Sequence, residues 1–490
     1  MSLRLIVRGT AAMSSVNVLR ILAQFIAVPI LSRLLSPTDY GLVGIAMPFV
    51  LFAMMIADAG VGMSLVRTPA REREEWSTCF WLSVLFGLVL AILSFGLAPL
   101  AAQLFGEPPL KSILRALAIG VFAQAVFLVP RAAQQQSDHF TTIAGTEIAA
   151  IFTGIAAAVA IGLYGGGAWA LVGQQLAFFV VRLLLTLYLS PFRPVFAFDL
   201  QKAKSHLVFG RDVLTTNIVG FITRSVDSLV IGWVLGTASV GIYTMATQFA
   251  RLPTMLIAGP LQYVLYGQLV KVKNDPEAVT KTFFALTRVL AILVLPAVGM
   301  VAVAHQPVFT FLLSPKWEFA GFLFMLIAPA CALQAVTGIG GTVRMALGRM
   351  DIVLRMAVEF GILWVVVLSL AVAHGLTSTA AAYNLAVLLY FPRSLGFVLP
   401  IVGGTKLSYL GSLAVPAIAT AICAGVFVVC TGVATLGSPA QLVLAATLTI
   451  LAILGSWFMQ RHYVRSEVGY LTQALHRAAD SSATGATPAL

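Results

Sequence analysis

The sequence predicts an all-α polytopic membrane protein, with two parallel six-helix bundles followed by two additional C-terminal transmembrane helices, 14 crossings in total. Three observations carry this prediction. Of 490 residues, 60% are hydrophobic and only 10% charged, where a soluble domain has roughly 25% charged residues. Apolar runs recur from end to end, each of about 20 residues, and at about 1.5 Å per residue such a helix crosses about 30 Å of hydrocarbon. Basic residues are concentrated in alternate loops. Unpaired peptide groups are not tolerated in hydrocarbon, which leaves helices or a closed barrel. Long continuous runs, rather than short alternating ones, select helices.

The opening hairpin sets the pattern. A basic lead (Arg4, Arg8) enters the apolar run Thr10 to Leu31, the break Ser36-Pro37-Thr38-Asp39-Tyr40-Gly41 has room only for a turn, and apolar sequence resumes through Ala57. No exported soluble domain follows, so the first helix reads as retained rather than as a signal peptide. The predicted segments are 10–33, 41–63, 77–100, 113–134, 141–163, 167–190, 208–235, 241–263, 283–305, 319–343, 353–374, 377–400, 408–432 and 438–459. They fall into an N-terminal bundle (1–190), a linker (191–207), a second bundle (208–400) and a last pair with its polar end (401–469). The tail 470–490 is small and polar, a composition that predicts disorder. Gly411, Gly425 and Gly432 in the last pair are expected to allow close helix approach, or the pair forms a side groove for a lipid tail.

Loop charge sets the orientation. Twenty-one Lys and Arg residues fall on the side of the N-terminus and four, Arg33, Lys111, Arg115 and Lys316, on the other. Both termini are therefore expected in the cytoplasm, and the clean split supports an even helix count. The net charge of +12 belongs to these short loops, which argues for lipid headgroups rather than nucleic acid. Cys79, Cys331, Cys423 and Cys430 are scattered through apolar segments, with the spacing of neither a metal site nor a disulfide framework. A parallel repeat is suggested at an offset of 200, which aligns Leu34 to Gly41 with Val234 to Gly241 and Asn17 with Asn217.

Five basic residues remain at membrane depth: Arg20, Arg182, Arg224, Arg251 and Arg288. Arg182 and Arg288 sit near helix ends and are expected to snorkel. Arg20, Arg224 and Arg251 are deep enough to require a wet or polar interior. Asp58, Glu147, Asp227 and Glu359 are the acids available to compensate them, Asp227 on nearly the same helix face as Arg224. Positive charge in excess at a cleft suits an anionic headgroup, and the planar guanidinium fork suits phosphate oxygens. Asn17, Gln24, Asn217, Thr223, Gln248 and Asn384 offer polar groups for a sugar. Pro29, Pro48, Pro253, Pro260, Pro296, Pro329 and Pro392 are candidate bending points. Gly338-Ile339-Gly340-Gly341 lacks the lysine and hydroxyl residue of a nucleotide-binding loop. No cofactor, metal or catalytic constellation is expected, and with no nucleotide site any transport runs on a gradient or on the substrate's own concentration difference.

The stretch Gln24 to Gly41, with its pattern R-L-L-S-P-x-D-Y-G, followed by Ala57-Asp58-Ala59-Gly60 and Ser64 to Arg67, resembles bacterial polysaccharide flippases of the Wzx type. These belong to the multidrug/oligosaccharidyl-lipid/polysaccharide exporter superfamily. The resemblance implies two six-helix bundles in a V with two extra helices, working by alternating access in a bacterial inner membrane, and the chain is expected to be a monomer. It implies a polyprenyl-pyrophosphate-linked oligosaccharide as cargo, for O-antigen, capsule or exopolysaccharide, with a polymerase and export machinery as partners. Arg20, Arg224 and Arg251 match the family's cationic cavity by character. Two relatives compete: the lipid II flippase, whose cargo shares the pyrophosphate, and the drug exporters, many of which use an acid in the first helix where this chain has Arg20. A noncatalytic membrane scaffold is a further alternative, against which the deep charges speak.

Overall fold

The computed structural model describes residues 3–58, 64–65, 73–196, 199, 214, 217–218, 220–221, 225–433 and 437–483. All regular structure among them is helical. In chain order the helices are α1 (Leu3–Leu34), α2 (Pro37–Asp58), α3 (Arg73–Phe105), α4 (Pro108–Gln136), α5 (Phe140–Leu163), α6 (Ala168–Leu189), α7 (Ser225–Leu235) and α8 (Thr237–Ala250). There follow α9 (Gly259–Lys271), α10 (Pro276–Val303), α11 (His305–Leu312), α12 (Glu318–Ala346), α13 (Met350–Val372), α14 (Leu376–Val402), α15 (Lys406–Val433) and α16 (Ser438–Ala483). Among the described residues, 11 helices are long and apolar enough to cross a membrane. Their outward faces explain the composition. Leu85, Phe86, Leu88, Val89, Ile92 and Leu93 on α3 are all exposed, an apolar belt that only lipid solvates without cost.

The chain divides into two compact units, Met1–Thr244 and Met245–Leu490. In the first, α3, α4 and α6 pack closely, and Trp76, Phe80, Val126 and Val129 form a buried core under Phe192. In the second, α10 is central, in contact with α12, α15 and α16. The close approach of α15 to α10 runs through Gly299, whose added Cβ would overlap Thr420. Gly411, Gly425 and Gly432 face open space. The expectation that these three allow close approach is therefore corrected: the bare position is on the partner helix.

Most helices outrun their apolar segments, because intrahelical hydrogen bonds persist where the chain leaves hydrocarbon. The last is the largest difference. α16 continues to Ala483, past the point where composition predicts a disordered tail, and 484–490 lie outside the described residues. Pro29, Pro48, Pro296, Pro329 and Pro392 sit within continuous helices. Pro253 instead interrupts one: after Ala250 the chain passes a turn at Arg251 and a single π-helical stretch, Thr254–Ala258, before α9, where Pro260 occupies the first turn. A π-turn beside a proline relieves the missing backbone donor.

The opening motif has a structural meaning. Ser36 caps α2: its backbone N–H and its hydroxyl both donate to Asp39 Oδ2 (2.8 and 2.6 Å), and Asp39 N–H donates back to Ser36 Oγ (3.2 Å). With Pro37 in the first helical position this is a capping box with an aspartate at its third helical residue. Gly236, at φ +79°, makes the corresponding turn before α8. The two helix starts then meet reciprocally. A Cβ on Gly41 would overlap the Thr237 carbonyl, and one on Gly241 the Pro37 carbonyl. Thr237 and Gly241 are Pro37 and Gly41 shifted by the repeat offset of 200.

Gly41→Ala and Gly241→Ala should each destabilise by about 1–3 kcal/mol, because backbone cannot give way as a side-chain tip does. The measurement is thermal unfolding in detergent. Gly96→Ala, whose Cβ meets nothing within 4 Å, should be neutral or stabilising by comparison, and an equal response at all three positions would show that the crossing tolerates a methyl.

Candidate functional site

In the first unit, α1, α4, α5 and α6 bring three arginines to one carboxylate. Arg20 Nη2 lies 2.8 Å from Glu147 Oε2, while Arg131 Nη1 and Arg182 Nη1 approach Glu147 Oε1 at 3.7 and 3.9 Å. The acid is buried, with its side chain 7% exposed, and Arg182 is 11% exposed, while Arg20 remains 39% exposed. Three guanidinium groups against one carboxylate leave a formal excess of two positive charges in this cluster. Such a cluster is held by the low dielectric itself: each guanidinium removed from water must find acceptors in the protein, and Glu147 is shared among three.

Local sequence places each member. Arg182 follows Phe178 and Phe179 on α6 by four and three residues, the spacing at which helical side chains meet. Its guanidinium lies 4.2, 4.6 and 5.3 Å from the Phe127, Phe178 and Phe179 ring centroids, a cation–π cage, and it donates to Gln124 Oε1. Arg131 stands one turn beyond Phe127 on α4, 5.9 Å from the ring. The reading of Arg182 as a snorkelling anchor is corrected, since aromatic faces hold it inside. Arg131, counted with the loop charges, belongs to the same cluster. The Phe-x-x-x-Arg spacing at both positions was the available signal. Around them, Gln134 is fully buried with both amide atoms lacking a hydrogen-bond partner among the described residues, as is the Thr146 hydroxyl.

Among the described residues, no other predicted residue forms an ion pair with this cluster. Arg251 lies in the second unit, at the turn between α8 and the π-helical stretch. Arg224 and Thr223 lie outside the described residues. The first acid proposed for a deep arginine, Asp227, is buried and accepts from the Ser228 N–H at 2.9 Å. Glu359 is taken by its own neighbours: Arg355 Nε at 2.9 Å, Arg393 Nη2 at 3.1 Å and the Tyr390 hydroxyl at 3.2 Å. Arg288, expected to snorkel, is instead paired with Glu467 of α16. Asp58 ends α2 and is half-buried; Gln24 and Asn217 are exposed, and Gln248 is half-buried. Asn384 on α14 is half-buried, with an unpartnered Oδ1. The Asn17 side chain lies outside the described residues. A second feature lies between α15 and α16, an apolar groove of about 870 Å³ lined by Val429, Cys430, Val433, Pro439, Val443 and Leu444. No cluster of three or more metal-ligating side chains occurs among the described residues.

Comparison with known proteins agrees with this architecture. The profile of a family described as polysaccharide biosynthesis protein matches residues 30–320. The chain is 29% identical over 311 residues to the succinoglycan biosynthesis transport protein ExoT of Rhizobium meliloti, covering 62% of this chain and 62% of that protein. It is 25% identical over 331 residues to the lipopolysaccharide biosynthesis protein WzxC of Escherichia coli, covering 66% of each. The matches thus span less than two thirds of the length of these relatives. In fold it is similar to the lipid II flippase MurJ in an inward closed conformation, with TM-score 0.75 at 15% identity, covering 94% of this chain and 100% of that one. It is also similar to an inward-facing multidrug transporter of the MATE family, with TM-score 0.61 at 16% identity, covering 78% of this chain and 95% of that one. The profile covers more than half the sequence, on a multi-pass helical fold of the same kind, and the chain therefore belongs to the polysaccharide biosynthesis protein family.

Proposed function

We propose that the protein flips a polyprenyl-pyrophosphate-linked oligosaccharide from the cytoplasmic to the periplasmic leaflet by alternating access. The observation that carries this is the excess of positive charge around Glu147, with Arg20 still half open to an incoming group. In this reading Glu147 is a resting counter-ion. It keeps Arg20, Arg131 and Arg182 folded inward while the site is empty, and pyrophosphate oxygens replace it at Arg20 when cargo arrives. The exchange is feasible because the guanidinium fork bonds two oxygens of a phosphate as readily as those of a carboxylate. By character, Arg224 and Arg251 are further candidates to meet the pyrophosphate, and Asn17, Gln24, Asn217 and Gln248 to meet the glycan. The apolar groove between α15 and α16 suits the prenyl tail, each buried CH₂ contributing about 0.8 kcal/mol. Fourteen crossings with both termini cytoplasmic, in two parallel bundles and a final pair, complete the arrangement; a polymerase is the natural recipient of the product.

The names of the relatives, succinoglycan transport and lipopolysaccharide biosynthesis, favour a polysaccharide unit over lipid II. Deletion of the gene should make undecaprenyl-linked oligosaccharide accumulate, as seen by thin-layer analysis of lipid extracts; accumulation of lipid II instead would reassign the cargo. In the complemented strain, Arg20→Ala should abolish polymer while the protein stays inserted, with Arg20→Lys retaining part of the yield, because charge survives and the fork does not. Undiminished polymer from a stably inserted Arg20→Ala protein would remove this residue from the mechanism. Glu147→Gln should behave differently. Removing the shared acid leaves buried guanidinium groups uncompensated, and destabilisation of about 3–5 kcal/mol is expected, measured as lost thermal stability of the purified protein.

A further inference from the structure

The second unit contains a buried cation that the flipping mechanism leaves unused. Arg344 lies near the end of α12, and loop-charge counting places it among the basic loop residues on the side of the N-terminus. In the structure it is 6% exposed. Side chains on a helix lean toward its N-terminus, and one turn before Arg344 the helix surface is bare: a Cβ on Gly340 would come within 3.3 Å of Arg344 Nη1, and one on Gly341 within 3.9 Å of Nη2. The glycines of the Gly338-Ile339-Gly340-Gly341 stretch thus make room for the guanidinium to fold back into the unit instead of reaching water.

There it lines a cavity of about 250 Å³ between α12, α13, α14 and the start of α15. Its Nε and Nη1 are buried without a hydrogen-bond partner, and it makes no ion pair among the described residues. The Tyr409 hydroxyl, on α15 and 1% exposed as a residue, lines the same cavity and also lacks a partner. The acid held at the cavity wall offers no relief. Glu359 reaches the cavity wall only through Tyr390, and it already accepts from Arg355 and Arg393. The volume is many times the ~30 Å³ of one water molecule, and water alone does not neutralise a guanidinium taken out of bulk solvent.

We propose that this cavity is a binding site for a phosphate-bearing anion, with the Arg344 fork and the Tyr409 hydroxyl as donors. The site is distinct from the arginine cluster of the first unit, and the proposal stands without the flipping mechanism. The rest of the wall, including Leu333, Met356, Phe360 and Val398, is apolar, and α13 exposes most of its surface. A phospholipid headgroup with the first part of its acyl chain therefore fits the lining, and free phosphate shares its donor chemistry.

The test is native mass spectrometry of the full chain purified in detergent, titrated separately with inorganic phosphate, dioleoyl phosphatidylglycerol and dioleoylglycerol. One saturable adduct per chain is expected with a phosphate-bearing probe, and none of comparable affinity with dioleoylglycerol. An adduct with inorganic phosphate identifies a soluble source, and one with phosphatidylglycerol alone identifies lipid. Arg344→Gln should weaken that adduct about tenfold or more, the worth of a charge-assisted hydrogen bond. Gly341→Leu keeps the charge and fills the space beside it, so it should weaken binding as well and serves if Arg344→Gln does not fold. Binding unchanged in the variant that folds, no adduct on the wild-type chain, or equal binding of dioleoylglycerol would each overturn the proposal. The readout is binding rather than transport, so its failure leaves the flipping reading untouched.

Discussion

A guanidinium carried into hydrocarbon must find in the protein the solvation it left in water, and this constraint organises the interior of the chain. Two pairings meet it inside the protein: Glu147 is shared by Arg20, Arg131 and Arg182, and Arg288 has Glu467, while the exposed Arg355 and Arg393 divide Glu359 nearer solvent. Of these pairings the shared ones leave positive charge in excess, and the first is buried where that excess acts at low dielectric. Aromatic faces supply what the acid cannot. Phe127, Phe178 and Phe179 hold Arg182 from several sides, which fixes its guanidinium in place before any ligand arrives.

Backbone packing answers a separate demand. The pattern around Ser36 to Gly41 carries the family resemblance in the sequence, and in the structure its residues close and pack a turn. Ser36 and Asp39 close the first turn of α2, and Gly41 lets that turn lie against the start of α8. The contact is reciprocal, Gly41 against Thr237 and Gly241 against Pro37, and joins positions that the offset of 200 aligns in the sequence. Most side chains differ between the two turns, but a carbonyl resting on a bare Cα leaves little tolerance at the glycines.

Much of the fold was legible, and the site was legible in part. Apolar runs located the membrane helices because hydrophobicity is a property of consecutive residues. The interruption after Ala250 was signalled by Pro253, though its π-helical form was not. Arg20 and Glu147 were both recognised as deep polar residues, but nothing in their local sequence pairs them. Arg131 and Arg182 were assigned to loops and helix ends because depth was counted from segment boundaries, whereas their burial follows from phenylalanines one turn away. Gly411, Gly425 and Gly432 read as packing positions, while the contact is made by Gly299. A glycine in a helix declares that its own surface is bare and says nothing about which neighbour uses it.

By itself, then, the sequence determined that the chain is a helical membrane protein with basic groups sunk in apolar runs, since both follow from composition along a few dozen residues. Only the tertiary structure decided which charges meet. Arg20 and Glu147 are 127 positions apart, and Arg288 and Glu467 are 179 apart. Electrostatic partnership depends on distance through space in a medium that screens poorly, and helices distant in the chain become neighbours only by packing.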